Sequence, residues 1–406
     1  MRYALFEDTL SVRLNPLTRL MPVFDLRCGI MTLRRKMEYV MNAPASALFT
    51  RPLLAPLTQA TNQPVPVNEL PAEPLLLING RWLPDDAITS RLADLTPGTM
   101  ILFRGAVIAA CIDDSHGEQF MAGTAGWDFY PDETWQIQEV DSRQHFVDYS
   151  WDICSLNAQQ LKADIALLDP GQVHQDFQGV HLINRQQIYV MPGAQIMPGV
   201  VIDASAGPVY VAGGAKVMPN CYLEGPLSIG EKSVIKAGAR IYGNTTIGPV
   251  CKVGGEVEGS VFHSFSNKQH EGFLGHSVIG RWVNLGADTN NSDLKNNYGM
   301  VRSFANGQAV DTGLQFVGLT MADHSKTGIN TMFNTGTVAG IMCNLYGAGF
   351  PPANIPDFSW GGAEGFEIYR ADKGIEVARK VMARRGVTML AEEEQLILRL
   401  YNELVG

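Results

Sequence analysis

The chain has 406 residues, 46% of them hydrophobic and 18% charged, with a net charge of −10. That balance supplies soluble cores for two or three domains and excludes a disordered chain. The acidic excess argues against a nucleic-acid surface, and no apolar run is long enough to span a membrane, so an anionic ligand must be held locally.

Residues 1 to about 170 alternate strand-like apolar runs, Leu75–Ile78 and Met100–Phe103, with proline-rich connections and a helix-period stretch from Thr32 to Val40. This pattern predicts an α/β domain. From about 186 a six-residue unit takes over, with Val190, Ile196 and Ile202, a slip near Gly207-Pro208, and then eight unbroken repeats. These place Val211, Val217, Leu223, Ile229, Ile235, Ile241, Ile247 and Val253 in one phase. Mostly small residues follow four positions later: Ala215, Cys221, Leu227, Ser233, Ala239, Thr245, Cys251 and Val257. An apolar anchor and a small partner repeated at this spacing predict a solenoid of short stacked strands. The phase changes between Val253 and Ile279, and a polar stretch covers 288 to 315. It is expected to resume with Val317, Asp323, Ile329, Thr335 and Ile341 as anchors and Met321, Thr327, Phe333, Ala339 and Leu345 as partners. The domains expected are 1–170, 171–350, and a helical tail at 351–406. In the tail, two amphipathic helices over 374–404 are expected, the first stopped by Gly386 and the second opened by Thr388.

The six cysteines form no CxxC pair, and Cys221 and Cys251 fall on small-residue positions. Packing explains them better than disulfides or metal. Histidines 116, 145, 174, 181 and 263 lack ligand spacing, so no metal site is expected. Asp85-Asp86 and Asp113-Asp114 read as solvated or capping pairs. The N-terminus lacks a signal pattern, and a cytoplasmic location is expected. Polar residues cluster where the repeat breaks, at Ser266-Asn267-Lys268-Gln269-His270-Glu271. An imidazole there can take a proton from an attacking amine. It can equally be a loop histidine bonded only to backbone.

The run from Gly254 to Lys295, above all SNKQHEGFLGHSVIG followed by VNLGADTNNSDLK, resembles the acetyltransferase domain of the GlmU family. That family combines sugar-1-phosphate uridylyltransferase and amino-sugar-1-phosphate acetyltransferase activities. The resemblance implies a left-handed parallel β-helix, usually a homotrimer, with His270 as catalytic base, Asn284 on the substrate and Asp293 supporting catalysis. Phe273 stands where the family has tyrosine and Asp293 where it has asparagine. No lysine follows Val257-Glu258, where the family grips the sugar phosphate. Gly286 and Ala287 are the expected oxyanion donors. His324, Lys326 and Thr327 lie near the expected acetyl-coenzyme A cleft, and Lys268 and Lys295 are the basic groups expected to meet phosphate. Nearer the N-terminus, Arg13-Leu14-Asn15-Pro16-Leu17-Thr18 with Pro22 is similar to the core of nucleotide-sugar pyrophosphorylases. It implies a nucleotidyltransferase-like, Rossmann-like domain in which Arg13 and Thr18 meet substrate, with UTP and Mg²⁺ if that domain turns over. The glycine-rich loop of those enzymes is missing, Val23 replaces their lysine, and Arg81 stands where they place a magnesium-binding aspartate. Arg13, Arg19, Arg27, Arg34 and Arg35 are either an anion site or a solvated face of a domain that kept its fold and lost its chemistry.

The expected function is therefore acetyl transfer to an amino-sugar 1-phosphate such as glucosamine 1-phosphate, coupled to formation of a UDP-sugar for the cell envelope. Two alternatives stand beside it. The chain is a nucleotidyltransferase whose β-helix serves only as an oligomerisation platform, or a non-catalytic sensor of sugar nucleotides.

Overall fold

A computed structural model describes all residues except 1, 72–73, 123–132, 142–143 and 172–175. His174 lies outside the described residues.

The first domain is built on six strands: β1 (Tyr3–Phe6), β2 (Ala47–Phe49), β3 (Leu75–Asn79), β4 (Thr99–Phe103), β5 (Ala106–Ile112) and β6 (Gln136–Glu139). Their order is β2-β1-β3-β5-β4-β6, with β5 antiparallel to both neighbours and the other pairs parallel. Leu75 and Leu77 join one apolar cluster, whereas Leu76 and Ile78 join the other. Both faces of β3 are covered, which is why its sequence is a continuous apolar run rather than an alternation. The helices are α1 (Leu33–Val40), α2 (Ala55–Asn62), α3 (Asp86–Leu92) and α4 (Asp114–Ala122). Thr32 caps α1, its side chain accepting from the Arg35 N–H.

A 19-residue helix, α5 (Ser150–Leu168), is wedged between this domain and the solenoid. The buried Asn157 amide joins the two, accepting from the Gly29 N–H at 2.7 Å and from Thr246 Oγ1 at 3.1 Å, and donating to the Asn244 carbonyl at 2.8 Å. Gly29, at φ +82°, brings the chain so close that a Cβ there would lie 2.5 Å from Asp164 Oδ2. Only glycine meets both demands.

The solenoid is a parallel β-helix of three faces. One face stacks six strands from His181–Ile183 to Phe273–Gly275, and a second stacks nine from Ile188–Val190 to Asn354–Ile355. The third stacks five strands from Gln195–Ile196 to Asn267–Lys268, then continues by single bridges through Asn284 to Lys326. All eight anchors from Val211 to Val253 are fully buried, and their eight small partners are at most 1% exposed. The second half corrects the expected phase. Met321, Thr327, Phe333, Ala339 and Leu345 point inward as anchors, and their small partners are Leu319, Ser325, Thr331, Thr337 and Cys343. Ile329, expected as an anchor, is 70% exposed, because the rungs shorten before Ile279, and Met321 then pairs in register with Ile279 and keeps that new phase across the polar loop. Strands at Asn354–Ile355 and Ser359–Gly362 carry the coil beyond 350.

At one corner Lys232, Val250, Phe265, Trp282, His324, Met342 and Phe358 all adopt left-handed backbone, with φ between 56° and 63°. Each such residue costs about 1 kcal/mol. Phe265 stacks on Trp282 at 4.1 Å, and Trp282 lies parallel to His324 at 6.3 Å, so the corner becomes an aromatic ladder. The tail docks on its lower end. Helices α6 (Ala371–Ala383) and α7 (Ala391–Val405) bury Ile375, Leu396, Ile397 and Leu400 against Met342 and Phe358 of the coil and Leu54 and Leu57 of the first domain. Gly386, at φ +71°, turns the chain after α6, while the residue before α7 is Leu390 rather than Thr388. All six cysteines are free thiols. No helix among the described residues is long and apolar enough to cross a membrane.

Candidate active site

Where the rungs shorten from 18 to 15 residues, a lysine occupies an anchor position. Lys268 pairs in register with the anchor Val253 and is 1% exposed. Its ammonium donates inside the coil to the carbonyls of Gly254 at 3.1 Å and His270 at 3.0 Å. Lys268 is thus a brace for the broken rung rather than a phosphate contact as expected. Burial pulls its pKa down to about 8. Because the unfolded chain titrates at the ordinary 10.5, it binds more protons than the folded chain between these values. Stability therefore rises with pH across that window and is lost as pH falls through the folded value. We expect the wild-type melting free energy, measured against Lys268→Met, to climb by up to about 3 kcal/mol from pH 8 to 10.5. A flat difference would place that ammonium in water.

The brace fixes the backbone of His270, whose ring stands exposed between two strands. Beyond it, Phe273 is half-buried and donates its N–H to Asn290 Oδ1 at 2.7 Å. Asn284 bridges the rungs of Asn267 and Lys326, and its Oδ1 lies 3.5 Å from Asn267 Nδ2. Asp293, expected to support His270, is bonded elsewhere: its Oδ2 meets His276 Nδ1 at 2.7 Å. The His276 ring tilts over Phe316 at 5.1 Å and sits 3.0 Å from where a Cβ on Gly259 would be, so that glycine makes room for the imidazole. His276 also lines a cavity of about 430 Å³ with Trp151, Ser155, Met300 and Phe316. Imidazole and carboxylate at this distance have the geometry of a base and its orienting group. Sequence reasoning missed His276, since its partner is 17 residues away and the contact exists only once the coil closes.

The expected oxyanion and coenzyme residues are largely committed to structure. The Gly286 N–H donates to Thr327 Oγ1 at 2.8 Å, and that hydroxyl also meets Thr289 Oγ1 at 2.7 Å. Gly286 therefore has no donor left for an oxyanion, and Thr327 is an interior residue. Ala287 accepts through its carbonyl from the Asn330 N–H at 2.8 Å. His324, 2% exposed, places Nε2 3.3 Å from Glu393 Oε1 of α7. Burial opposes ionisation of Glu393, but the bond and charge from His324, with Arg281, outweigh it and leave the carboxyl below its ordinary range. Lys326 donates to the His324 carbonyl at 2.8 Å, and burial lowers its pKa to about 8. His324 thus clamps the tail and Lys326 braces the coil beneath it, so neither side chain is left free for an open cleft. Lys295 closes its own loop on the Met300 carbonyl at 2.7 Å.

In the first domain Thr18 is fully buried and donates to Asn15 Oδ1 at 3.0 Å, so it is a turn-former rather than a substrate contact. Arg13 is exposed and lies 5.6 Å from the Tyr149 ring, which stacks on Trp151. The other arginines are spread over separate partners: Arg19 on Asp357, Arg34 on Asp25, Arg35 on Glu38 and Arg27 on the Ile30 carbonyl. Where pyrophosphorylases carry their glycine loop, residues Thr9–Leu14 form a 3₁₀ turn, and Asp8 before it is gripped by Arg81. That guanidinium, wholly buried, also pairs with Asp148. Both carboxylates are thereby neutralised, a donor set that does not suit magnesium. Among the described residues no group of three His, Cys, Asp or Glu is placed to hold a metal ion. Asp85 caps α3, and Asp113 bonds His116 at 2.7 Å.

The bifunctional sugar-1-phosphate nucleotidylyltransferase/acetyltransferase of Sulfurisphaera tokodaii is 29% identical over 128 residues, 32% of this chain and 28% of that protein. The matched stretch thus spans little more than a quarter of the curated relative. Among solved structures, an Arabidopsis UDP-N-acetylglucosamine acyltransferase covers 53% of this chain and 78% of its own at 14% identity and a TM-score of 0.23. A further UDP-N-acetylglucosamine acyltransferase covers 54% and 90% at 13% identity and a TM-score of 0.22. Residues 3–173, the sheet domain together with α5, match the family model described as sugar nucleotidyl transferase.

Proposed function

We propose that the solenoid transfers an acetyl group from acetyl-coenzyme A to the amine of an amino-sugar 1-phosphate such as glucosamine 1-phosphate, and that the first domain couples this to formation of a UDP-sugar. The observation that carries the reading is the broken rung, where a buried lysine holds the backbone of an exposed imidazole. His270 takes the amine proton as nitrogen attacks the thioester carbonyl, and collapse of the tetrahedral species expels the coenzyme thiolate. Asn284 positions the acceptor, and the Ala287 N–H is the remaining oxyanion donor. Nucleotidyl transfer rests on the family match over 3–173. Arg81 already neutralises Asp8 and Asp148, so these two carboxylates are not free to hold a magnesium ion. A homotrimer is proposed with it, supported by the exposed Ile329, Met332, Tyr346 and Phe350 near the lower coils, apolar groups that an assembly would cover.

The test is mass spectrometry of products from the full chain with glucosamine 1-phosphate, acetyl-coenzyme A, UTP and magnesium, each omitted in turn. Acetylated product without UTP is expected. Nucleotide sugar alone would instead make the β-helix an oligomerisation platform, and saturable binding without any product would make the chain a sensor.

One observation favours a second assignment of the base. His276, not His270, has a carboxylate orienting it. On that reading Asp293→Asn lowers turnover by 10-fold or more and His270→Ala leaves it unchanged. The pH profile of the two variants separates the cases.

A further inference from the structure

In a chain with 41 acidic and 31 basic residues, four cations gather without an acid among them. Lys252 lies on the third face of the coil, one rung from Asn267 and in register with it. Arg385, from the turn after α6, reaches across and donates to Asn267 Oδ1 at 2.7 Å. Lys236 lies alongside, its Cβ 3.0 Å from where a Cβ on Gly254 would be. Arg384 precedes Arg385 and is exposed, while Lys236, Lys252 and Arg385 are half-buried. The charge of Arg385, then burial, then Lys236 and Arg384 hold Lys252 below the ordinary lysine range. Among the described residues no carboxylate forms an ion pair with any of the four. Elsewhere in the tail the arginines are paired, Arg370 with Asp372, Arg379 with Glu394 and Arg399 with Glu403. Like charges held together in this way lack the counter-charge that folded proteins ordinarily supply, and an anion would supply it.

We infer that Lys236, Lys252, Arg384 and Arg385 form a binding site for a phosphate group, assembled only when the tail docks on the coil. Its place on the face that carries Asn267 and Asn284 puts the phosphate beside the proposed acetyl-transfer rung. Lysines supply point charges, and arginine adds paired N–H donors to phosphate oxygens. The site provides the phosphate contact that the sequence lacks after Val257-Glu258, and takes it from the tail instead. The choice of probes rests on the acetyl-transfer reading. The phosphate belongs either to the sugar 1-phosphate or to the coenzyme.

The experiment is calorimetric titration of the full chain with two matched pairs, glucosamine 1-phosphate against glucosamine and coenzyme A against 3′-dephospho-coenzyme A. Wild type, Lys252→Gln, Arg385→Gln and Arg385→Lys are compared, with thermal melts to confirm folding. We expect one phosphorylated probe to bind more tightly than its counterpart, and that preference to fall about tenfold in each Gln variant and to be largely kept in Arg385→Lys. The pair that responds identifies the source. Equal loss for phosphorylated and unphosphorylated probes, or no loss for either pair, overturns the assignment. Turnover measured in parallel separates the two proposals. Acetyl transfer with no phosphate-dependent loss sinks the anion site alone. Phosphate preference abolished by the variants, in a wild type that makes no acetylated product, sinks the acetyl-transfer reading alone.

Discussion

His270→Ala should lower acetylation of glucosamine 1-phosphate by about 100-fold or more at neutral pH, with the Michaelis constants of both substrates little changed. That scale is what removal of a general base costs, about 3 kcal/mol of transition-state stabilisation. The folded state should be nearly indifferent, because the ring is exposed and the groups that organise the rung are the His270 carbonyl and the Lys268 ammonium, both retained. The measurement is steady-state kinetics beside a melting curve. Unchanged kcat with an unchanged melt would remove His270 from the mechanism and leave His276 as the base. A large loss in stability instead would show that the ring packs, contrary to its exposure here.

The second large effect concerns the joint between domains. Lys36 of α1 and Asp164 of α5 form an ion pair in which both side chains are 1% exposed. Asp164 also accepts from the N–H groups of Ile30 at 2.7 Å and Met31 at 3.1 Å. Removing the carboxylate by Asp164→Ala leaves a buried ammonium, the buried Met31 N–H and the partly buried Ile30 N–H without their partner. Breaking a buried pair in this way costs about 3–5 kcal/mol. Asp164→Ala should therefore lose a large share of total stability, whereas Lys36→Met combined with Asp164→Leu should recover much of it, since no charge is then stranded. Denaturant melts of the single and double variants measure both numbers. A loss under 1 kcal/mol for the single change would mean that water reaches the pair.

The hexads made the solenoid legible because an anchor every six residues is a local property of the chain. The eight anchors from Val211 need only their own spacing to be assigned inward, and they are inward. Likewise β3 and α1 follow from an apolar run and a capped helical period. The lower coils show where extrapolation ends, since shortened rungs before Ile279 reset the phase, and strand pairing then carries the new phase across the loop to Met321. Asp293 and Lys268 were singled out from the sequence, but their bonding partners were not. Both side chains turn on a polar atom that sequence distance hides: a carboxylate finding His276 on the adjoining rung, and an ammonium at an anchor position turned onto carbonyls. The same holds for Arg81, which reads only as a basic residue in the place of a magnesium-binding aspartate until the fold buries it between Asp8 and Asp148. The sequence by itself determined the sheet domain, the stacked coils and the helical tail, because hydrophobic periodicity acts locally. Tertiary structure alone decided which charges meet. Coulombic and hydrogen-bonded partners are chosen by distance in space, and in a stacked coil that distance is set by rungs 15 to 18 residues apart.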